Sequence, residues 1–294
     1  MSLIQKGILE PVPEQARYLF FTMVPGGNFT KALVNLRKFI DGKTTVVGIG
    51  NWLVTALNRE VPGLRSFPAF SKTDVNMSAT PAALWCWIRG NDRGELFHQT
   101  HDIAGSVSPA LQLFRVVDAF RYRSGFDLFG YEDGTENPEG TDAVNAAVAS
   151  NLGLGFDGGS YVAVQQWVHD FSRFRGLDPS RQDDAIGRRR DDNSELPLAS
   201  QSAHVKRTAQ ESFSPPAFIV RRSMPWIEDQ QGGLMFVGFG RTFDPFEALL
   251  DRMTGTEDGI TDALFTFTRP VSGDYFWCPP MESGRLDLRA LGLP

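Results

Sequence analysis

Apolar residues along the 294-residue chain recur in two rhythms, and the changes between them predict alternating strands and helices. Tyr18 to Val24 is apolar and rich in aromatics, which predicts a strand. Gly26-Gly27-Asn28 breaks it, with Asn28 placed to cap the next element. From Phe29 to Ile40, the positions Leu33, Val34, Leu36, Phe39 and Ile40 fit a helical period, which Asp41-Gly42 ends. Thr44 to Gly50 and Ala82 to Ile88 predict two more strands. From Glu95 to about Arg123, Phe97, Ile103, Val107, Leu111, Phe114, Val117 and Phe120 predict one long helix, kinked or divided at Pro109.

The second half repeats the theme. Ser160 to Val168 predicts a strand, and helical stretches follow over Phe171 to Phe174 and Pro179 to Ile186. Strands are expected at Ala217 to Val220 and Gly233 to Gly240, and a helix from Phe246 to Met253. Ala263 to Thr268 reads as β-like, and Asp274 to Pro280 closes the fold. Val47-Gly48-Ile49-Gly50 is echoed by Val237-Gly238-Phe239-Gly240, each a strand ending in a G-x-G. With the repeated β-α-β order, this predicts an α+β fold of two related halves, residues 1–150 and 151–294. The second half carries an extra polar segment at roughly 175–215.

Composition narrows the function classes. Hydrophobic residues make up 41% and charged residues 22%, enough apolar material for a sizeable core. The net charge of -6 disfavours a general phosphate-backbone binder, so no nucleic-acid partner is expected. No apolar run approaches the ~20 residues of a membrane helix, and the N-terminus lacks the pattern of a secretory signal. A cytoplasmic protein without a membrane partner is the expectation. Cys86 and Cys278 lie in strand-like apolar runs and read as buried thiols. The 23 Phe residues imply large apolar surfaces for a core, an oligomer interface or a pocket for a flat ligand.

Common nucleotide, redox and hydrolase signatures are missing: the G-x-G pairs make no Rossmann fingerprint, which needs G-x-G-x-x-G opening a helix, and no P-loop, C-x-x-C, H-E-x-x-H or G-x-S-x-G occurs. His98 and His101 share a helix face and read as a metal pair or a solvated surface pair. His169, beside Asp170 at the end of a strand, reads as structural. The segment Phe126 to Pro138 stands apart. Gly130, Gly134 and Pro138 punctuate it, and offer Asp133 on a sharply turning loop.

Gly130-x-x-Asp133-Gly134-Thr135-Glu136-Asn137-Pro138 resembles the G-x-x-D-G signature of the dye-decolourising peroxidases, which are haem proteins. Further matches occur in that family's order. Ser202-Ala203-His204-Val205-Lys206-Arg207 resembles its proximal-histidine segment, and Ile219 to Pro225 its distal-arginine strand. Gly233 to Phe239 and the region Asp262 to Pro280 resemble its C-terminal strands, so the resemblance spans essentially the whole chain.

The resemblance implies two ferredoxin-like halves, each an antiparallel sheet with helices, and haem b, one per chain, in the C-terminal half. It implies a peroxidase working through an oxoferryl intermediate. Hydrogen peroxide and organic reductants such as dyes and phenolic compounds would be its partners, with Mn(II) a further reductant, and the chain would form a homo-oligomer. His204 would be the axial iron ligand. Asp262 is the candidate carboxylate behind it, raising the ligand's basicity. Asp133 would move the peroxide proton, and Arg221 would stabilise the charge that develops. Strand alternation turns Arg222 away and places Ser223 on the face of Arg221, where it would bond peroxide or water. Arg188 is the candidate partner of a haem propionate. Trp167, Tyr161 and Trp226 are candidate electron relays. Two rival readings remain at this point: a haem-handling protein of the same fold without turnover, and a haem-free dimerisation module.

Overall fold

Ten strands join in one antiparallel sheet that closes on itself. The computed structural model describes residues 3–68, 75 and 77–294. The first strands are β1 (Gln15–Met23), β2 (Thr45–Gly50), β3 (Leu84–Gly90) and β4 (Leu111–Phe120). After them come β5 (Ser160–His169), β6 (Val220–Arg221), β7 (Met224–Glu228), β8 (Gln231–Gly240), β9 (Thr268–Pro270) and β10 (Asp274–Cys278). Around the closed ring the order is β4-β1-β3-β2-β10-β5-β8-β7, returning to β4 through the pair Ala119 and Trp226. β6 continues the edge of β8 beyond β7, and β9 continues the edge of β5 beyond β10.

The strands of the two segments therefore do not form two separate sheets. A four-stranded sheet exposes two rows of unpaired backbone groups, and closure removes them. Inside the ring, alternate residues pack into a solid core. Tyr18, Phe20, Trp85, Trp87, Phe239 and Phe276 are fully buried there. Phe276, Trp85, Tyr18 and Trp87 stack in succession, with centroids 5.9, 6.2 and 6.2 Å apart. Burial of each such ring contributes about 2–3 kcal/mol, so the barrel is a packed support and not a pore.

Helices cover the outer faces. Asn28 caps α1 (Phe29–Leu36) as expected, accepting from the Lys31 N–H at 2.9 Å. α2 (Asn51–Ala56) follows β2, and α3 (Arg93–Val107) packs with α1 over Leu19 and Phe21 of β1. The expected long helix is instead α3 followed by β4. Ser108 is extended, as a residue before proline prefers, and it ends the helix. Beyond it, Gln112, Phe114 and Val116 are exposed while their neighbours are covered, which is strand alternation. α4 is Gly140–Ala147, α5 Phe171–Arg175, α6 Pro179–Ile186, α7 His204–Arg207 and α8 Asp244–Met253. The β-like run at Ala263 is a single 3₁₀ turn, Ala263–Thr266, that leads into β9. Cys86 and Cys278 are buried and unpaired in a disulfide. Among the described residues no helix is long and apolar enough to cross a membrane.

Candidate functional site

A cavity of about 1070 Å³, open space at its mouth included, lies against the outer face of β5 and β8, beneath α7, α8 and the loop after β4. Phe236 and Leu234 of β8, Ile219, and Phe246, Leu249, Leu250 and Met253 along α8 make its apolar wall. Asp127, Glu132, Asp133, His169, His204 and Arg221 converge on it, with Tyr131 beside them.

His204 opens α7, whose position is fixed from both sides. The Arg207 guanidinium is buried and donates to Asp258 at 2.7 Å and to the Arg252 carbonyl. The Thr208 hydroxyl donates to the His204 carbonyl at 2.8 Å. His204 Nδ1 lies 2.7 Å from Asp262 Oδ2, and the Asp262 side chain is fully buried. Asp262 is itself locked. Its other oxygen accepts from the Leu264 N–H at 2.9 Å, and its own N–H donates to Met253. A buried carboxylate facing Nδ1 fixes the proton on that nitrogen and leaves Nε2, which has no hydrogen-bond partner among the described residues, as a lone pair at the cavity.

Asp133 is supplied by the loop between β4 and α4. Gly134 has φ +78°, and a Cβ there would stand 2.7 Å from Asn137 Nδ2, so only glycine lets Asn137 approach. Asn137 then binds the main chain of β6 twice. Its Oδ1 accepts from the Arg221 N–H at 2.7 Å, and its Nδ2 donates to the Arg221 carbonyl at 3.1 Å. The Asp133 loop and the Arg221 strand are thus one rigid unit. Part of the Asp133 carboxyl surface opens on the cavity, but protein packs densely around it. Burial pushes its pKa above the ordinary carboxylate value. Arg221 pulls it back, Asp127 adds to the rise, and the Gly134 N–H and His204 oppose it.

Arg221 lines the cavity, and its Nε is buried with no partner among the described residues. Arg222 points the other way, as alternation predicts. It donates to the Leu9 carbonyl at 2.8 Å, and burial, together with nearby Arg89, lowers its pKa to about 10.

The structure does not bring Ser223 to the cavity. The register against β8 runs unbroken from Arg221–Gly238 to Met224–Met235, with the Arg222 N–H donating to the Val237 carbonyl at 2.8 Å, so alternation holds and Ser223 keeps the face of Arg221. The Ser223 hydroxyl instead faces the Val237 N–H at 3.4 Å. Arg188 does not line the cavity either. Its guanidinium donates to Glu136 at 2.5 Å and to the Asn193 carbonyl at 3.0 Å, tying the polar segment to the Asp133 loop. Of the aromatic candidates, Trp167 lines the cavity and stacks on Phe265 at 5.5 Å. Trp226 donates to the Trp167 carbonyl at 3.0 Å, and the Tyr161 hydroxyl donates to Pro62. His98 and His101 are exposed beside Phe97, and no group of three metal-ligating side chains occurs among the described residues.

Sequence reasoning passed over three residues. Asn137 lies inside the G-x-x-D-G motif's extension, where the sequence assigns it no role. Gln210 joins the Glu136 carbonyl to the Ile219 N–H, at 2.9 and 2.8 Å. His169, read as structural, lies on the cavity wall with Nε2 2.9 Å from Asp127.

Comparison with known proteins shows the family. Residues 124–283 match the family described as Dyp-type peroxidase, C-terminal. A dye-decolorizing peroxidase of Mycobacterium tuberculosis is 33% identical, over 94% of this chain and 88% of the relative. The dye-decolorizing protein of V. cholerae superposes with TM-score 0.84 at 25% identity, covering 98% of this chain and 99% of that one. A DypB variant of Rhodococcus jostii in complex with heme superposes with TM-score 0.82 at 25% identity, covering 92% and 94%. On sequence and on structure alike, the chain belongs to the dye-decolorizing peroxidase family.

Proposed function

We propose that this member of the family binds haem b, one per chain, in the cavity between His204 and the Asp133–Arg221 pair. It would use hydrogen peroxide to oxidise dyes and phenolic compounds, with Mn(II) as a further reductant. The observation that carries this reading is the placement of a free imidazole Nε2, a buried carboxyl and an orphaned guanidinium around one apolar cavity. The residues fit the group. A flat apolar macrocycle suits the walls of β8 and α8, an axial ligand is preset, and the partnerless Arg221 Nε awaits an acceptor. When bound, haem supplies an iron centre that takes two oxidising equivalents from peroxide.

The chain's own residues do the rest. His204 would hold the iron through Nε2, and Asp262 would raise its basicity through Nδ1. Asp133 takes the proton from one peroxide oxygen and returns it to the other, which leaves as water. Arg221 stabilises the negative charge that develops as the O–O bond breaks. Its cation also holds Asp133 available as a base in a site where burial alone would keep it protonated. A protein that only carried haem would need neither residue.

The order of elements supports ferredoxin-like halves at residues 1–150 and 151–294. The first runs β1-α1-β2-β3-α3-β4, with neighbours β4-β1-β3-β2. The second runs from β5 through β8 and α8 to β10, with β5 between β8 and β10. Exposed Phe39, Trp52, Phe97 and Phe114 are consistent with a homo-oligomer. Titrating the chain with hemin and then adding one equivalent of peroxide tests the function. A tight haem band that converts rapidly on peroxide is expected. A haem band indifferent to peroxide would leave only a carrier, and no haem band would overturn the reading.

A further inference from the structure

Peroxide reduction consumes protons as well as electrons. Hydrogen peroxide takes up two electrons and two protons to become two waters. Dyes and phenols too bulky for the cavity give up their electrons outside it and release their own protons to solvent. The protons must then reach the cavity by another route.

We propose that Thr268, His169 and Asp127 form a proton wire from a surface hollow to the cavity. The proposal rests on the peroxidase reading above. Thr268 lies on both sides of the wall. It lines the cavity, and it also lines a separate hollow formed with Phe265, Arg269, Pro270 and Val271. Its Oγ1 is 2.7 Å from His169 Nδ1, and His169 Nε2 is 2.9 Å from Asp127 Oδ2. Asp127 faces the cavity from the same loop as Asp133, six residues upstream of it.

Each member has the chemistry that a wire needs. An imidazole bonded at both nitrogens can accept a proton at one and release another from the opposite side. The Thr268 hydroxyl has one proton and two acceptors in reach, Nδ1 and the Val168 carbonyl at 3.1 Å, so it can rotate between them. His169 is held for transfer and not for metal binding. Phe129 stacks on its ring at 4.2 Å, the side chain is 4% exposed, and neither nitrogen is free. His204, with Nε2 open, is the contrast. The remaining charged or titratable groups around the wire are Glu132, Asp133, Arg221 and His204 in the cavity, Arg269 at the hollow, and Asp170, whose side chain caps α5.

Thr268→Val, His169→Gln and Asp127→Asn test the wire in the haem-loaded full chain. Stopped-flow mixing separates the phase that consumes peroxide from the phase that consumes an organic reductant. Each variant should slow the reductant phase about tenfold more than the peroxide phase. Acetic acid, a small proton carrier, should restore the slowed phase, and Thr268→Ser should behave as wild type. Equal slowing of both phases, or slowing that acetic acid does not relieve, would show a merely structural role and overturn the wire. A second readout needs no haem. In the apo chain, the imidazole nitrogen resonances of His169 should respond both to Thr268→Val and to Asp127→Asn, and a ring insensitive to either is not part of a wire. A wild-type chain that loads haem but ignores peroxide would instead refute the peroxidase reading, a result separate from any failure of the wire.

Discussion

Asp262 stands 2.7 Å behind His204 with its side chain completely buried, and it spends its second oxygen on the Leu264 N–H. The carboxylate therefore cannot turn away, and the imidazole it faces has one orientation. Asp262→Ala frees the ring and removes the partner that increases its basicity. Hemin affinity should fall about 10–100-fold. Fluorescence or absorbance titration with hemin measures it, and His204→Ala should weaken retention further. A fully ligated haem in His204→Ala would contradict the axial assignment.

Asn137 joins the Asp133 loop to the Arg221 strand through two hydrogen bonds, at 2.7 and 3.1 Å. Asn137→Ala leaves both main-chain groups of Arg221 without that partner. A loss of about 1–3 kcal/mol in denaturant unfolding is expected, together with slower peroxide consumption. Unchanged stability and unchanged rate would mean that the clasp does not position the pair.

Burial raises the Asp133 pKa, while Arg221 opposes the rise. Asp133 must be ionised to accept the first proton, so peroxide consumption should fall as pH drops through its raised pKa. Arg221→Leu removes the opposing cation. The acidic limb of the pH–rate profile should then move to higher pH, on top of the loss in rate. An acidic limb that stays in place would assign the titration to another group.

Asp274, which does not line the cavity, gives a pH effect on stability. Its side chain is fully buried on β10, and burial lifts its pKa to about 6 against the opposing pull of Arg115, 3.0 Å away. Between the ordinary carboxylate value and about 6, the unfolded chain has released this proton while the folded chain still holds it. Stability is greatest below that window and falls as pH rises through it, by about 3 kcal/mol at most. Asp274→Asn should flatten this part of the profile in urea unfolding curves measured from pH 4 to 7. An undiminished slope would place the effect elsewhere.

Strands β1, β2, β3, β5 and β8 are legible in the sequence because apolar residues, many of them β-branched or aromatic, concentrate in them. β4 is not. Its apolar residues Leu111, Phe114 and Val117 fall three apart and imitate a helix, while Phe114 and Val116 are exposed hydrophobics facing outward. Closure of the sheet leaves no local trace, since it depends on pairings such as Ala119 with Trp226. Asp133, His204, Arg221 and Asp262 are legible because motif residues carry them, and the structure puts Asp133, His204 and Arg221 on one cavity with Asp262 against His204. Ser223 shares the face of Arg221 but does not line the cavity, because its hydroxyl faces the Val237 N–H, a contact that alternation alone does not reveal. His169 and Asp127 are 42 residues apart in sequence, and Asn137 and Arg221 are 84 apart. No spacing rule reaches across such distances, so only the folded chain shows these partners.

The most direct measurement is the single-turnover reaction of the haem-loaded chain with hydrogen peroxide in the wild type, Asp133→Ala and Arg221→Ala. The peroxide-dependent rate constant should fall about a hundredfold or more in each variant, with haem retained. Rate constants within about twofold of wild type in both variants would contradict the claim that this pair activates peroxide.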